Sequence, residues 1–412
     1  ATRSITEKGT RSRPLQFLQK DENSIGLKDG DFLIVDGKFF RKENTTTSDV
    51  FDFDKYLKAK GFSGSYYVPS YGWKKFDFPH NFSIFRQSRL IQKYLVGLFQ
   101  QSGINGDELA VLSALTIGDK TLLDKDLKRV YSSAGASHIL AVSGLHVGVV
   151  YWVFLWMMSL IIRTEKLKIL KTTVPLAALW SYAFITVLSP SVLRASIMLT
   201  IATLAVTFGR KPQVFNAVFA SAFFMLLYSP RYLFDVGFQL SYAAVISILL
   251  FQKRIYGVFV VRNWMLRKVW MMMSVTLAAQ LGTMPLTLYY FHQISNLFWL
   301  SSFIVIPIAT ILIYLSVLFW CVHTVPYVGP FLSSLLHLLV EVMNSSIIEL
   351  DSWEAVRGEI RFECTDFFFL YLLLALVYAI TEKFTVFRLN AMLSVLLVYA
   401  VGQTINKIFF VT

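Results

Sequence analysis

The residues with chemistry to offer gather in one short string, Ser137-His-Ile-Leu-Ala-Val-Ser-Gly-Leu-His-Val-Gly148. His138 and His146 are eight positions apart, which on a helix sets them two turns from each other on related faces. Ser143 lies between them. A helical metal pair wants His at i and i+4 or a nearby carboxylate, and the string has neither. Nucleophilic catalysis by Ser143 with His146 as base needs an orienting acid and an oxyanion hole. The run Val142-Ser-Gly-Leu-His146 is not the Gly-x-Ser-x-Gly elbow that positions such a serine. Two other readings stand beside these. The histidines cap and pack a helix, or they line a polar pathway, because an ionisable group inside a membrane span is costly and usually faces a cavity.

Further polar residues stand out against apolar surroundings. Arg194 follows Pro190-Ser-Val-Leu193 just inside an apolar run; it either snorkels to the interface or aims a guanidinium at an anionic group. Asp235 precedes Gly237-Phe-Gln-Leu-Ser241 and either caps that segment or pairs with Arg194 or Arg231. Gln280 is the deep amide of its own run, open to interhelical hydrogen bonding or substrate contact. Cys321 and Cys364 are the two cysteines; their spacing suits packing rather than a metal or a disulfide.

The elements that must hold these residues are membrane helices. From Val269 to Val340 there is no Asp, Glu, Lys or Arg, and a span needs about 20 apolar residues. The chain is 55% hydrophobic with 16% charged residues, and its apolar runs far exceed the alternating segments of a membrane barrel. Ten spans are predicted, near 139–162, 172–188, 191–209, 213–228, 236–252, 269–291, 296–320, 330–349, 367–381 and 389–407. Several are short or broken by Gly, Pro or Ser, and Pro307 lies inside one, which suits backbone facing a water-filled path. Gly144 and Gly148 form a small-xxx-small strip on which another helix can pack closely, holding Ser143 and His146 toward that path. Residues 1–80 alternate charged and β-prone residues (Asp31-Phe-Leu-Ile-Val-Asp36, Gly37-Lys-Phe-Phe-Arg41), with a helix expected at Asp52–Gly61. Residues 81–137 are read as interfacial amphipathic helices, at Phe82–Gln101 and Glu108–Ile117. Residues 138–412 are the membrane domain. The first residues, Ala1-Thr-Arg-Ser, carry neither an initiator Met nor a signal peptide's apolar region, and read as a fragment boundary or processed end. The net charge of +13 fits basic loops that orient the spans.

The string His138–Gly148 resembles the signature of the ComEC competence-protein family of bacterial DNA-uptake channels. Gly118-Asp119, Ser191-Val-Leu-Arg-Ala195, Arg210, Pro230, Gly237-Phe-Gln-Leu-Ser241, Gln280, Pro285, Phe291-His292 and Pro307 follow in the family's order. Phe51-Asp-Phe-Asp-Lys-Tyr-Leu57 is similar to the end of that family's OB-like external domain, and the likeness covers roughly residues 30–310. Ser302 stands where the family usually has Asn, and the His-x-His-x-Asp-His string of its nuclease-like domain does not occur, so no enzymatic activity is expected of this polypeptide. The resemblance implies an all-α polytopic membrane bundle with a partial, β-rich OB-like N-terminal portion. It implies a channel in the bacterial inner membrane passing single-stranded DNA into the cytoplasm during natural transformation.

On that reading His138, Ser143, His146, Arg194, Asp235, Gln239 and Gln280 line the DNA pathway. Gly118, Asp119, Gly144, Gly148, Pro190, Gly237, Pro285 and Pro307 shape the backbone. No metal or cofactor is implied. Partners would be single-stranded DNA, membrane lipid, uptake proteins including a cytoplasmic ATPase, and a second copy; no phosphate-binding Gly-x-x-x-x-Gly-Lys motif is present to supply energy. Lys38, Arg41, Lys55, Lys58 and Lys60, interleaved with Phe39, Phe40, Phe53 and Tyr56, could grip a strand or merely form a solvated face. Two alternatives remain open: an intramembrane hydrolase using Ser143 and His146, and a secondary transporter of a small anion held by Arg194.

The basic loops all fall on one side when ten spans are drawn, and that side is cytoplasmic by the positive-inside rule. Residues 1–137 and Thr412 then face outward, and loops 163–171 and 253–268 inward. Single-cysteine labelling in a variant lacking Cys321 and Cys364 checks this; outside labelling at position 168 or 262 sinks the topology.

Overall fold

Alternating β-prone residues near the N-terminus and long apolar runs beyond residue 140 become two different kinds of structure in a computed structural model of the chain. It describes residues 84–162, 168–295, 298–353, 357–359 and 364–410, together with seven short strands between Ile5 and Phe76. The chain divides into two compact units, one of residues 1–93 with 223–235 and one of residues 94–222 with 236–412.

In the first unit, β1 (Ile5–Glu7) pairs antiparallel with β2 (Thr10–Ser12). Strand β6 (Ser65–Val68) runs parallel to β3 (Leu15–Leu18) and antiparallel to β5 (Lys38–Phe40). Strand β4 (Phe32–Val35) pairs antiparallel with β7 (Trp73–Phe76). The two strands read from Asp31–Arg41 are β4 and β5; the helix expected at Asp52–Gly61 lies outside the described residues, as do Arg41, Lys55, Lys58 and Lys60.

Helix α1 (Ile84–Gln101) leaves Ile84, Phe85, Leu90, Ile91 and Tyr94 exposed. Its last turns are buried, and Phe99 stacks on Phe319 with centroids 5.5 Å apart. The neighbouring α2 (Gly106–Ile117) corrects the sequence reading. Every residue from Leu109 to Ile117 is buried, so α2 is a core helix and not an interfacial one. The reason is composition: Leu109-Ala-Val-Leu-Ser-Ala-Leu-Thr-Ile117 is apolar all round, and such a helix is stable only when covered. Helix α3 (Lys125–Ser133) is tied to it through a third element, described next.

The apolar helices follow in order: α4 (Gly144–Ile161), α5 (Lys168–Ile185), α6 (Pro190–Thr207), α7 (Val214–Tyr228), α8 (Val236–Tyr256), α9 (Trp264–Phe291), α10 (Phe298–Val322), α11 (Val328–Ser352), α12 (Cys364–Glu382) and α13 (Val386–Phe410). Seven are long and apolar enough to cross a membrane; Ile169–Ile185, Val214–Tyr228 and Val386–Gly402 are apolar but shorter. Each of the ten segments drawn from sequence falls on one of these helices. The interruptions do not break them, however: α9 and α10 run continuously through Pro285 and Pro307. Neighbouring helices and Ser/Thr side chains let a membrane helix accommodate Pro without breaking.

One core runs through α1 to α6, α10 and α11. Its polar ties lie on α11: Tyr131 Oη donates to Asn344 Oδ1 at 2.6 Å, Ser333 Oγ to the Ser102 carbonyl at 2.7 Å, and Ser133 Oγ to the Asp351 carboxylate. Burial, reinforced by the Asp107 charge, raises the Tyr131 phenol above its usual range, so it remains a neutral donor.

Helices α8 and α9 form the most extensive pair. Their seam is built from small residues. A Cβ at Gly282 would lie 2.4 Å from Ser247 Cβ and 2.6 Å from the Ala243 carbonyl oxygen, and Ser247 Oγ donates to the Ala278 carbonyl at 2.6 Å. This is the close approach expected of Gly144 and Gly148. There it is absent: a Cβ at Gly148 meets nothing within 4 Å, and one at Gly144 meets Ala195 Cβ at an ordinary 3.4 Å. Gly282→Leu should therefore lower the thermal stability of the detergent-solubilised protein, by an amount in the range of about 1–3 kcal/mol typical of overpacking. Gly148→Ala should leave it unchanged or raise it. Equal stability of the Gly282→Leu variant and the parent would show that the seam is loose.

Candidate site around the Ser143–His146 cap

Ser143 decides where the signature segment becomes helical. Its backbone is extended, at φ −112° and ψ 173°, and its Oγ accepts the Leu145 N–H at 3.3 Å. His146 returns the favour: its Nδ1 accepts the Ser143 N–H at 3.0 Å. This is a capping box in which imidazole takes the place of the usual Glu or Gln carboxyl oxygen. Helix α4 thus starts at Gly144, not near residue 139, and His138 stays on the preceding loop. The segment drawn from residue 139 becomes helical only at Gly144, because the cap satisfies backbone donors at Ser143 and leaves nothing to extend the helix upstream.

The hydrogen bonds assign the ring. With Nδ1 accepting a backbone N–H, the neutral imidazole carries its proton on Nε2. That nitrogen is buried, in a side chain only 2% exposed, and makes no hydrogen bond among the described residues. Ser143 Oγ lies 2.8 Å from the same Nδ1, so the pair has the contact of a serine–histidine dyad. It lacks the acid on the far nitrogen that orients a triad histidine. Among the described residues there is also no group of three or more His, Cys, Asp or Glu that could hold a metal ion. His138 is exposed, with Nδ1 3.2 Å from the Gly135 carbonyl oxygen.

Segments remote in sequence converge on this cap. Gly118 ends α2 in the left-handed region at φ 77°, and a Cβ there would lie 3.2 Å from Val142 Cγ2 and 4.0 Å from Thr186 Cβ. Asp119 stabilises the turn that follows, its Oδ1 accepting from Thr121 N at 3.0 Å and Thr121 Oγ1 at 2.7 Å. Tyr182 Oη, on α5, donates to the Thr116 carbonyl at 2.8 Å. Past Thr186 the chain reverses through Val187 and Leu188, both left-handed at φ 56° and 50°. A β-branched residue is strained there, and such strain persists only where the surroundings hold it. Pro190 then opens α6 at a position where its missing N–H is no loss.

Arg194 occupies the next turn of α6, beside Ala195, whose Cβ would lie 3.4 Å from a Cβ built on Gly144 of α4. It is 3% exposed. A snorkelling arginine keeps its head in water, so burial rules out that role. On α8, the Tyr242 phenol lies 2.9 Å from Ser221 Oγ of α7. Asp235 ends a 3-10 turn, Pro230–Phe234, in the other compact unit, and Gly237 is exposed at the start of α8. Gln280 is half-buried on α9, and Pro285 is buried further along that helix.

Gln239 opens on something sequence reasoning missed. Its Oε1 accepts from Tyr290 Oη at 2.8 Å, at one wall of a cleft of about 420 Å³ lined by Leu286, Tyr289, Tyr290, Phe367, Phe368 and Tyr371. Tyr371 Oη donates to the Gly282 carbonyl at 2.9 Å, which ties α12 to the seam of α8 and α9. Paired aromatics at Tyr289-Tyr290 and Phe367-Phe-Phe369 were the available signal, but in a chain with 16% aromatics they do not stand out.

A bundle of apolar helices with buried polar groups at one set of helix ends defines a multi-pass membrane protein. The chain belongs to the competence protein family, whose model matches residues 115–401. It is 29% identical over 305 residues to ComE operon protein 3 of Bacillus subtilis (strain 168), covering 74% of this chain and 37% of that protein. An uncharacterised protein of Aquifex aeolicus (strain VF5) is 28% identical over 172 residues, 42% of this chain and 40% of that one. The uncharacterised protein YcaI of Escherichia coli (strain K12) is 24% identical over 214 residues, 49% of this chain and 27% of that one. The chain thus spans well under half the length of these relatives. No solved structure matches it.

If His146 acts through the cap, His146→Gln supplies the ordinary capping-box group and should keep the parent's thermal stability, whereas His146→Ala lowers it. Ser143→Ala should cost about 1 kcal/mol and Ser143→Asn much less. Indistinguishable melting of all four variants would remove the cap from the account.

Proposed function

We propose that this chain forms the membrane passage through which single-stranded DNA enters during natural transformation. Membership of the competence protein family carries the reading. The geometry supports it at two places. Buried Arg194, in the first turns of α6, supplies a guanidinium suited to phosphate. The cleft at Gln239 supplies aromatic faces and an amide, the chemistry on which successive bases stack without sequence preference. Both lie at the ends where α4, α6, α8 and α12 begin and α9 finishes. The topology drawn from the basic loops makes this the outer side, where a strand would arrive.

On this reading residues 1–80 form an OB-like portion outside the cytoplasmic membrane. Driving force comes from a partner ATPase or a gradient, and catalysis is no part of the role. A hydrolase built on Ser143 and His146 finds less support, since the imidazole nitrogen nearest the serine is already engaged by the backbone.

DNA-uptake complementation in a competent host deleted for its own channel tests this, with surface binding and cytoplasmic arrival scored separately. Arg194→Gln should abolish most arrival while leaving binding and protein level unchanged, and Arg194→Lys should rescue only in part because the planar fork is lost. Gln239→Ala and Tyr289→Ala should reduce arrival more mildly. Failure of the parent chain, carrying any segments its relatives supply, to restore arrival would overturn the proposal; full rescue by Lys would remove Arg194 from the passage.

A further inference from the structure

Helix α11 presents three different faces. Leu332, Leu336, Val340, Met343 and Ile347 are buried, on a helix that packs against α2, α3 and α10. Phe331, Leu338 and Val342 form an adjoining exposed apolar column, 66%, 53% and 45% exposed, which is lipid-facing chemistry and ends at the exposed Glu349 in the helix's last turn. A second exposed column is polar: Ser334, His337, Glu341, Ser345 and Ser352, interrupted only by Ile348. At about 100° per residue these five lie within about 80° of arc. They run most of the length of a helix that is apolar enough to cross the membrane.

Glu341 sits near the middle of Val328–Ser352, with its Oε2 3.8 Å from His337 Nδ1; the two side chains are 58% and 46% exposed. Hydrocarbon is the wrong neighbour for that column. A carboxylate at the centre of a span is strongly disfavoured against lipid, and pairing with an imidazole does not remove the desolvation of both groups. A second copy related by a two-fold axis along the membrane normal would set Glu341 against its mate at the same depth, like charge on like. A DNA phosphate would meet a carboxylate. Water satisfies every group in the column. We infer that the polar column of α11 lines a water-filled crevice reaching the middle of the bilayer, and that Glu341 makes this crevice selective for small hydrated cations. The inference rests on the chain's being a multi-pass membrane protein and not on what it transports.

Single cysteines placed in the full chain, in membranes and on a Cys321→Ser, Cys364→Ser background, test it. Membrane-impermeant methanethiosulfonate reagents, one cationic and one anionic, should label Ser334→Cys and Ser345→Cys and spare Leu338→Cys and Val342→Cys. The cationic reagent should react several-fold faster at Ser345→Cys, and that preference should collapse toward one in the Glu341→Gln background or at high salt, which screens the carboxylate. The salt series uses the parent Glu341 and stands even if the Gln variant accumulates poorly. No labelling at either serine position, equal labelling of both columns, or protection of Ser345→Cys with cross-linking to a second copy would each overturn the crevice. Equal rates for the two reagents at low salt would overturn its cation preference.

Discussion

Hydrocarbon cannot hydrogen-bond, so each polar group on a spanning helix must be satisfied by the protein itself or by water. Nearly every local feature of this chain is a response to that constraint. Serines sit buried along the spans, at Ser196, Ser221, Ser247, Ser274, Ser301, Ser302 and Ser316, where their small size lets helices approach and several donate to carbonyls of their own or adjoining helices. Threonines at 200, 203 and 207 donate back to carbonyls one turn earlier on α6. Where such self-satisfaction fails, as at His146 Nε2, the structure marks a place with chemistry left to offer.

The same constraint explains why the candidate site is assembled from helix ends. A helix terminus leaves backbone donors without partners, and the cap at Ser143 answers them with a serine and a histidine from the chain itself. The glycine at 118, the αL turn at Val187-Leu188 and the proline at 190 then bring three loops to one level. Arg194, on the helix that Pro190 opens, is buried. A buried guanidinium needs a surrounding of oxygen atoms or aromatic faces.

Much of this was legible in the residues alone. Hydropathy located each apolar helix, since apolar length depends on local composition. The glycine after Ile117 was readable as a helix end, and it is one. Other expectations failed for a common reason: they concerned which face meets what. Glu108–Ile117 looked interfacial because its flanks are polar, yet the tertiary packing of α10 and α11 buries it. Gly144 and Gly148 looked like a packing strip because of their spacing, yet the close approach occurs at Gly282, where Ser274, Ala278 and Gly282 repeat the same four-residue spacing and spacing alone does not say which strip meets a neighbour.

Sequence by itself determined the solvent of this protein, the number and order of its apolar segments, and its membership of a family through motifs whose order survives without any contact being known. Those properties follow from composition and local spacing. Only tertiary structure decided that His146 caps a helix with Nδ1 and leaves Nε2 without a partner among the described residues, that Arg194 is buried, and that Gln239 stands in an aromatic cleft. It also decided that one column of α11 is exposed and polar. The reason is physical. The environment of a side chain is set by neighbours far along the chain, and in a membrane, where hydrophobicity alone does not drive helices together, small residues and hydrogen bonds choose those neighbours.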